Sequence, residues 1–171
     1  LDQLEGRIVS VEVDITYGLH SFSIVGLPDK AVEESRDRVG SAIKNSGYPS
    51  PKQQNQKTVV SLAPAELKKE GSYFDVAIAI GYLLSSGAIT FHPEKKLFVG
   101  ELSLNGEIQP VMGILPIAMA ARAAGFTELF VAPANAREAT LIQGITIYPA
   151  QLLSEIISHL DGKTFLTPCT P

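Results

Sequence analysis

The residues best suited to chemistry in this chain stand at the head of its most apolar segment. Ser72 follows Lys68 and Lys69 closely, and Asp75 comes three residues later. A serine hydroxyl near a lysine amine could act as a nucleophile with its base, but proximity along the chain alone neither orients a base nor builds an oxyanion site. Ser72 and Asp75 also fit the S/T-x-x-D/E capping pattern, which places Asp75 at the positive end of a helix dipole. We therefore interpret both as structural residues.

The other reactive residues lack the spacing of a catalytic, metal or phosphate site. Glu101 and Glu107 flank a predicted hairpin turn and are interpreted as solvated or lysine-paired carboxylates. Residues 162–164 (Gly-Lys-Thr) imitate the end of a P-loop, but Ile157 stands where its first glycine is needed. The three histidines are far apart, and Cys169 is the only cysteine, which excludes a thiolate zinc cage. The sequence predicts no metal site and no cofactor site.

A basic stretch between residues 44 and 69 contrasts with the net charge of −4. It holds five lysines against one acid, Glu66. Four of these lysines are candidates for a single DNA-binding patch: Lys52, Lys57, Lys68 and Lys69. Local charge governs the field near a surface, so such a patch can hold a phosphate backbone on an acidic protein. A solvated loop with ordinary lysines remains the alternative.

The composition is that of one globular domain. Of the 171 residues, 45% are hydrophobic and 19% charged, enough for one sizeable core. No apolar run approaches the roughly 18 residues of a membrane span, and no secretion leader is evident. We expect a cytoplasmic protein that does not enter a membrane. Residues 1–161 are assigned to the domain, and the Pro/Thr-rich residues 162–171 to a linker.

Hydrophobic periodicity predicts an α/β domain with a mixed sheet and packed helices. A strand with one wet face ends near Thr16, and a helix capped by Asp29 follows a second short strand. A helix over residues 74–84 is apolar all round, and Asn105-Gly106 predicts a hairpin after a strand over 97–104. The other predicted strands are 58–62, 129–131 and 145–148, and the other predicted helices are 117–124, 135–139 and 152–160. The early strands are expected to be antiparallel.

Arg36 is the charged exception on the apolar stripe of the first helix. It shares that stripe with Val32, Val39 and Ile43. Its stem should therefore be buried, and its guanidinium should need a carboxylate partner. We predict an internal ion pair at Arg36.

Three segments, in this order, carry a family resemblance: residues 24–29 (IVGLPD), 61–67 (SLAPAEL) and 68–75 (KKEGSYFD). From about Gly6 to Leu160 the chain resembles the amino-terminal Lon-like (ChlI-type) domain of the ComM/YifB magnesium-chelatase-like AAA+ family. The resemblance implies the Lon protease-like version of the ribosomal protein S5 domain 2-like fold.

The same resemblance bears on catalysis. In Lon-type proteases the corresponding helix opens with a G-P-S-A-G pattern whose serine is the nucleophile, and a lysine after a P-I-G-G-L pattern is its base. Residues 71–75 place Tyr73 at the serine position, and residues 110–115 place Leu115 at the lysine position. A phenol, with an unperturbed pKa of about 10, and an alkyl chain cannot form that pair. The resemblance therefore implies that this fragment is not an enzyme.

For function, the resemblance implies a DNA-contacting and assembly module of a ring-forming AAA+ ATPase of the DNA branch-migration and natural-transformation type. ATP and magnesium would bind to the ATPase domain that follows the linker in that family and is absent from these residues. DNA, the ATPase domain and further copies in a homo-oligomeric ring are the expected partners. Two alternatives stay open: a degenerate Lon-like ATP-dependent peptidase using Ser72, and a purely structural collar of the ring.

Overall fold

The computed structural model describes residues 10–19, 21–27, 29–51, 56–63 and 71–171. The first half contains β1 (Ser10–Tyr17), β2 (Ser21–Val25), α1 (Asp29–Asn45) and β3 (Gln56–Ala63). A 3-10 turn (Gly71–Phe74) leads into the central helix α2 (Asp75–Ser85). The second half contains these elements: β4 (Lys96–Phe98), β5 (Glu101–Leu102), β6 (Ile108–Gln109), α3 (Ile114–Ala123), β7 (Glu128–Val131), α4 (Pro133–Ala139), β8 (Thr146–Pro149) and α5 (Leu153–Leu160).

The first sheet has the strand order β1-β3-β2. The alternation predicted for β1 is confirmed, because Val13 and Ile15 are half-buried while Glu12 and Asp14 are exposed. β1 runs antiparallel to β3, whereas β2 runs parallel to it. The expectation of antiparallel early strands is therefore wrong for β2. The cause is α1, which returns the chain between β2 and β3 and so allows parallel pairing.

Helix α2 lies at the centre of the larger apolar core, as its uniformly apolar sequence predicts. Seven of its residues are buried, among them Val76, Ile80 and Leu83. Gly81 allows a close approach to the first sheet, since a Cβ there would lie 3.1 Å from Cγ2 of Val13. The helix is thus covered by sheet residues on the side that carries Gly81.

The strand predicted over residues 97–104 is divided between two sheets. β4 pairs in parallel with β7, and β7 with β8, which gives a second sheet of order β4-β7-β8. β5 instead forms an antiparallel ribbon with β6. The predicted mixed pairing is confirmed within the first sheet, but the described residues form two three-stranded sheets and a ribbon where one sheet was expected. The hairpin turn itself is confirmed, with Gly106 at a φ of 87°.

Gly100 stands at the point where the chain leaves β4 for β5. A Cβ at this position would lie 2.7 Å from Cγ2 of Ile108 and 3.3 Å from Cγ2 of Val76. Only a residue without a side chain fits so close an approach. The contact brings the β5–β6 ribbon against the start of α2.

The residues predicted to form a linker lie against the second sheet. The Cys169 N–H donates a hydrogen bond of 2.8 Å to the Ile147 carbonyl on β8. Leu166 and Cys169 are partly buried against the two apolar cores. Within the described ranges, no helix combines the length and apolar character needed to cross a bilayer.

Candidate functional site

The two positions that correspond to the Lon nucleophile and base lie on neighbouring turns. Tyr73 belongs to the 3-10 turn ahead of α2, and its phenolic oxygen accepts a 3.3 Å hydrogen bond from the Met112 N–H. Met112 lies three residues before Leu115, which is the second residue of α3. The Gly100 N–H also donates to the Tyr73 carbonyl at 3.2 Å. The fold therefore brings the two segments together.

The side chains at these positions do not supply acid–base chemistry. Tyr73 accepts a main-chain hydrogen bond through its phenol, and Leu115 offers only a half-buried alkyl chain. Among the described residues, no basic side chain hydrogen-bonds to Ser72. Lys68 and Lys69 lie outside the described part of the chain. The described residues thus contain no assembled nucleophile and base at this site.

The predicted capping box of Ser72 and Asp75 is wrong. Helix α2 begins at Asp75, its N-cap residue is Phe74, and no side chain caps it. Ser72 lies inside the preceding 3-10 turn, because the chain tightens there instead of starting the α-helix directly. Asp75 does have a structural role, but it acts through tertiary contacts and not by capping the helix.

The Asp75 carboxylate is fully buried and accepts four hydrogen bonds. Arg38 on α1 donates two of them, from Nε at 2.6 Å and from Nη2 at 3.2 Å. The Ser35 hydroxyl donates at 2.8 Å, and the Leu102 N–H at 3.0 Å. Planar two-point contact of this kind is the strongest form of an arginine–carboxylate pair. The pair joins α1, α2 and β5 at the head of the central helix.

Burial sets the protonation behaviour of this pair. Desolvation raises the pKa of the Asp75 carboxyl above its ordinary value, and the hydrogen bonds from Arg38, Leu102 and Ser35 oppose the shift. The hydrogen bond to Asp75 in turn raises the pKa of the Arg38 guanidinium. Arg38 is therefore a cation at neutral pH.

Among the described residues, Arg38 forms a buried ion pair two residues after Arg36, and the ion pair at Arg36 itself stays a prediction. Arg36 is half-buried, and its guanidinium contact within the described residues is the Phe22 carbonyl oxygen, at 3.4 Å. Arg38, one turn from buried Ser35, faces α2 instead. Periodicity could not separate the two arginines, because the partner carboxylate lies 37 residues away in sequence. The available signal was Asp75, a lone charge at the head of an apolar helix.

Asn135 is a structural site residue that sequence reasoning missed. Its amide oxygen accepts the Val111 N–H and its amide nitrogen donates to the Val111 carbonyl, both at 2.9 Å. The side chain is buried at the start of α4. Because it satisfies both main-chain groups of one residue, it fixes the loop that carries Met112 beside Tyr73.

One of the four candidate DNA-binding lysines is described. Lys57 is exposed on β3, opposite Thr16 of β1. Cross-strand partners point to the same face, so Lys57 shares the outer face of the first sheet with Glu12 and Asp14. The remaining three lie outside the described residues: Lys52, Lys68 and Lys69.

One groove in the described part of the chain lies apart from the candidate residues. A groove of about 430 Å³ lies between β1, α2 and β4, and its walls are mostly apolar, with Val13, Ile80 and Phe98 among them. None of the candidate site residues lines it. Within the described ranges, no three His, Cys, Asp or Glu side chains are grouped closely enough to hold a metal ion.

Comparison with known proteins places this geometry in a family. Residues 11–135 match the family described as subunit ChlI of Mg-chelatase. The chain is 38% identical over 168 residues to competence protein ComM of Haemophilus influenzae, which covers 98% of this chain and 32% of that protein. It is 40% identical over 156 residues to YifB of Escherichia coli, covering 91% of this chain and 30% of that protein. A Lon protease of Brevibacillus choshinensis is 25% identical over 172 residues, covering 94% of this chain and 22% of that protein.

The fold and the match together define the class: an α/β domain of the kind found in Mg-chelatase-like proteins. The chain belongs to the ChlI family, and ComM and YifB are among its relatives. It spans about a third of the length of these relatives.

Proposed function

We propose that this chain is a non-catalytic module that contacts DNA and supports the assembly of a ring-forming AAA+ ATPase. The observation that carries the proposal is the absence of a nucleophile and base at the two positions that correspond to the Lon dyad. Tyr73 accepts a main-chain hydrogen bond from Met112, and Leu115 stands where a base would be needed. Since neither residue can activate a nucleophile, the module contributes binding rather than bond cleavage.

The finer assignments of fold and parent protein are part of this proposal. The Lon protease relative supports the Lon-like version of the ribosomal protein S5 domain 2-like fold. The relatives ComM and YifB are about three times as long as the matched region, which supports assigning ATP and Mg²⁺ binding to a separate AAA+ domain. On this proposal the parent works in the cytoplasm as a homo-oligomeric ring.

The DNA contact is assigned to Lys52, Lys57, Lys68 and Lys69. Five lysines against one acid between residues 44 and 69 give a local positive field on a chain of net charge −4. The relative from H. influenzae is named a competence protein, which fits a role beside DNA. Lysine contacts to phosphates position a protein on DNA without reading the base sequence. We expect binding to depend little on DNA sequence.

A structural collar that does not touch DNA is the second candidate. It is favoured by the position of Lys57, which shares its sheet face with Glu12 and Asp14. Acids on the same face reduce the attraction of a phosphate for that lysine. The collar therefore predicts that Lys57 contributes nothing to DNA binding.

The two candidates are separated by fluorescence anisotropy with a labelled duplex at about 50 mM salt. The test variant replaces Lys52, Lys57, Lys68 and Lys69 with glutamate. The matched control replaces four exposed basic residues outside the basic stretch with glutamate: Lys30, Lys95, Arg137 and Lys163. Each variant changes the net charge by eight units, from −4 to −12.

Our proposal predicts that the test variant loses binding and that the control is weakened much less. Equal losses in the two variants would show a net-charge effect without a defined patch. Absence of binding by the wild-type chain at about 100 μM, above most non-specific dissociation constants, would favour the collar.

A further inference from the structure

The carboxy-terminal residues occupy the outer edge of the second sheet. β8 is the last strand of that sheet, and Cys169 forms an antiparallel bridge with Ile147 of β8. The Leu166 N–H donates a 3.0 Å hydrogen bond to Nδ1 of His159 on α5. We call residues 165–171 the strap. Two separate main-chain hydrogen bonds, one to a strand and one to a side chain, therefore hold it.

His159 forms the more specialised of these contacts. Its ring lies 4.7 Å from the ring of Tyr148, 5.5 Å from that of Phe130 and 5.6 Å from that of Phe165, between centroids. Phe165 belongs to the strap and meets the imidazole edge-on, with an interplanar angle of 89°. The same histidine thus contacts the strap through a hydrogen bond and through a ring.

Protonation of this ring is incompatible with the observed hydrogen bond. A neutral imidazole has one acceptor nitrogen, whereas both nitrogens of an imidazolium are donors. Nδ1 of a charged His159 would present an N–H to the N–H of Leu166. The contact would change from attractive to repulsive, and the strap would lose one of its two main-chain anchors.

Charged groups of both signs lie around His159. The strap has no charged side chain. The titratable and charged groups that face the ring from other elements are Lys96 on β4, Glu128 on β7 and Tyr148 on β8. Those within about one turn of His159 along the chain are Glu155, Asp161 and Lys163. Lys96 and Glu128 form an ion pair at 3.8 Å, and Lys163 lies 4.0 Å from Asp161. Burial lowers the pKa of His159, Glu128 opposes this shift and Lys96 adds to it.

We propose that His159 is a proton-sensitive latch, which holds the strap on the second sheet while its ring is neutral and releases it when the ring is protonated. The latch itself stands on the contacts of this chain. Its consequence for a ring rests on the proposed function: a docked strap would fix the direction in which the chain leaves the domain, and a released strap would act as a loose tether.

The test is an NMR titration of the 171-residue chain between about pH 8 and pH 5. The side-chain resonances of His159 report its protonation, and the amide order parameters of Leu166 and Cys169 report the strap. We expect these order parameters to fall from about 0.85 to below about 0.6, with the same midpoint as the titration of His159. The amides of Ile78 and Leu129, fully buried in the two cores, report whether the domain stays folded.

Two variants make the test specific. His159→Asn offers an amide oxygen near the position of Nδ1 and does not titrate, so its strap should stay ordered at every pH. His92→Asn changes an exposed histidine and should behave as the wild type. If His159→Asn does not fold, the test rests on the wild type, in which the midpoint of His159 protonation is compared with the midpoint of strap release. An ordered strap below the midpoint of His159, a strap that is mobile at pH 8, or two separate midpoints would overturn the proposal.

Discussion

Replacement of Arg38 by methionine tests how the head of α2 is held. Methionine keeps much of the packing of the arginine stem and removes the charge. Asp75 would then retain two of its four hydrogen bonds, those from Ser35 and from the Leu102 N–H. The carboxylate would remain fully buried without a cation.

The expected loss follows from burial. Removing one partner of a buried ion pair costs about 3–5 kcal/mol, because an uncompensated charge is left behind. The Arg38 side chain is 20% exposed while that of Asp75 is 0% exposed. Water can therefore reach the vacated space in part, and we expect a value near the lower limit, about 3 kcal/mol. For a domain of this size that lowers Tm by about 6–12 °C.

Urea unfolding at pH 7, followed by far-ultraviolet circular dichroism, measures this loss. The matched control is Arg36→Met on the same helix, where the described contact is a single 3.4 Å hydrogen bond to a carbonyl. That variant should lose about 1 kcal/mol or less. Equal losses for the two variants, or a loss below about 1 kcal/mol for Arg38→Met, would refute the assignment of the ion pair.

The pH dependence of the variant gives a second check. The pKa of Asp75 is raised by burial, so the folded protein binds this proton more readily than the unfolded chain. Stability from such a group is present at low pH and is lost as pH rises through the folded-state pKa. Arg38→Met removes an opposing hydrogen bond, so its deficit relative to wild type should shrink as the pH is lowered from 7. The same scan with the double variant Arg38→Met, Asp75→Asn should show no such recovery.

Three further predictions concern single positions. Gly100→Ala should lose about 1–3 kcal/mol in urea unfolding, because its Cβ would lie 2.7 Å from Ile108. The control Gly40→Ala, at a helical site with open space around it, should gain stability. A Gly100→Ala variant as stable as the wild type would contradict the packing. Asn135→Ala should lose about 2–3 kcal/mol, since both main-chain groups of Val111 would be left unpaired; an unchanged urea midpoint would argue against the clamp. Serine-directed phosphonates should not label the chain, and Ser72→Ala should change stability by less than about 0.5 kcal/mol. Stoichiometric labelling that this variant abolishes would favour the peptidase.

The elements were predicted well wherever local periodicity decides them. Strand β1, helix α1, the central helix and the Gly106 turn all follow from residue spacing, because each needs only neighbours in sequence. The division of residues 97–104 into β4 and β5 did not follow. It depends on the approach of Gly100 to Ile108 and Val76. A tertiary contact of this kind does not change the hydrophobic periodicity of the sequence.

The candidate site shows the same limit. The positions of Tyr73 and Leu115 came from motif order, and the structure brings their segments together. The ion pair of Arg38 and the clamp of Asn135 join residues 37 and 24 positions apart. A single sequence does not reveal such pairs, since several polar residues on each helix fit the same pattern.

The salt dependence of DNA binding tests the central claim most directly. If Lys52, Lys57, Lys68 and Lys69 neutralise about four phosphates, the logarithm of the association constant should fall with the logarithm of salt at a slope near −3.6, or roughly a hundredfold between about 50 and 200 mM. The variant with glutamate at these four positions should show no measurable binding, and the matched control should keep the wild-type slope. A wild-type slope near zero, or the same slope and affinity in the four-glutamate variant, would contradict a DNA-contacting module and leave the structural collar.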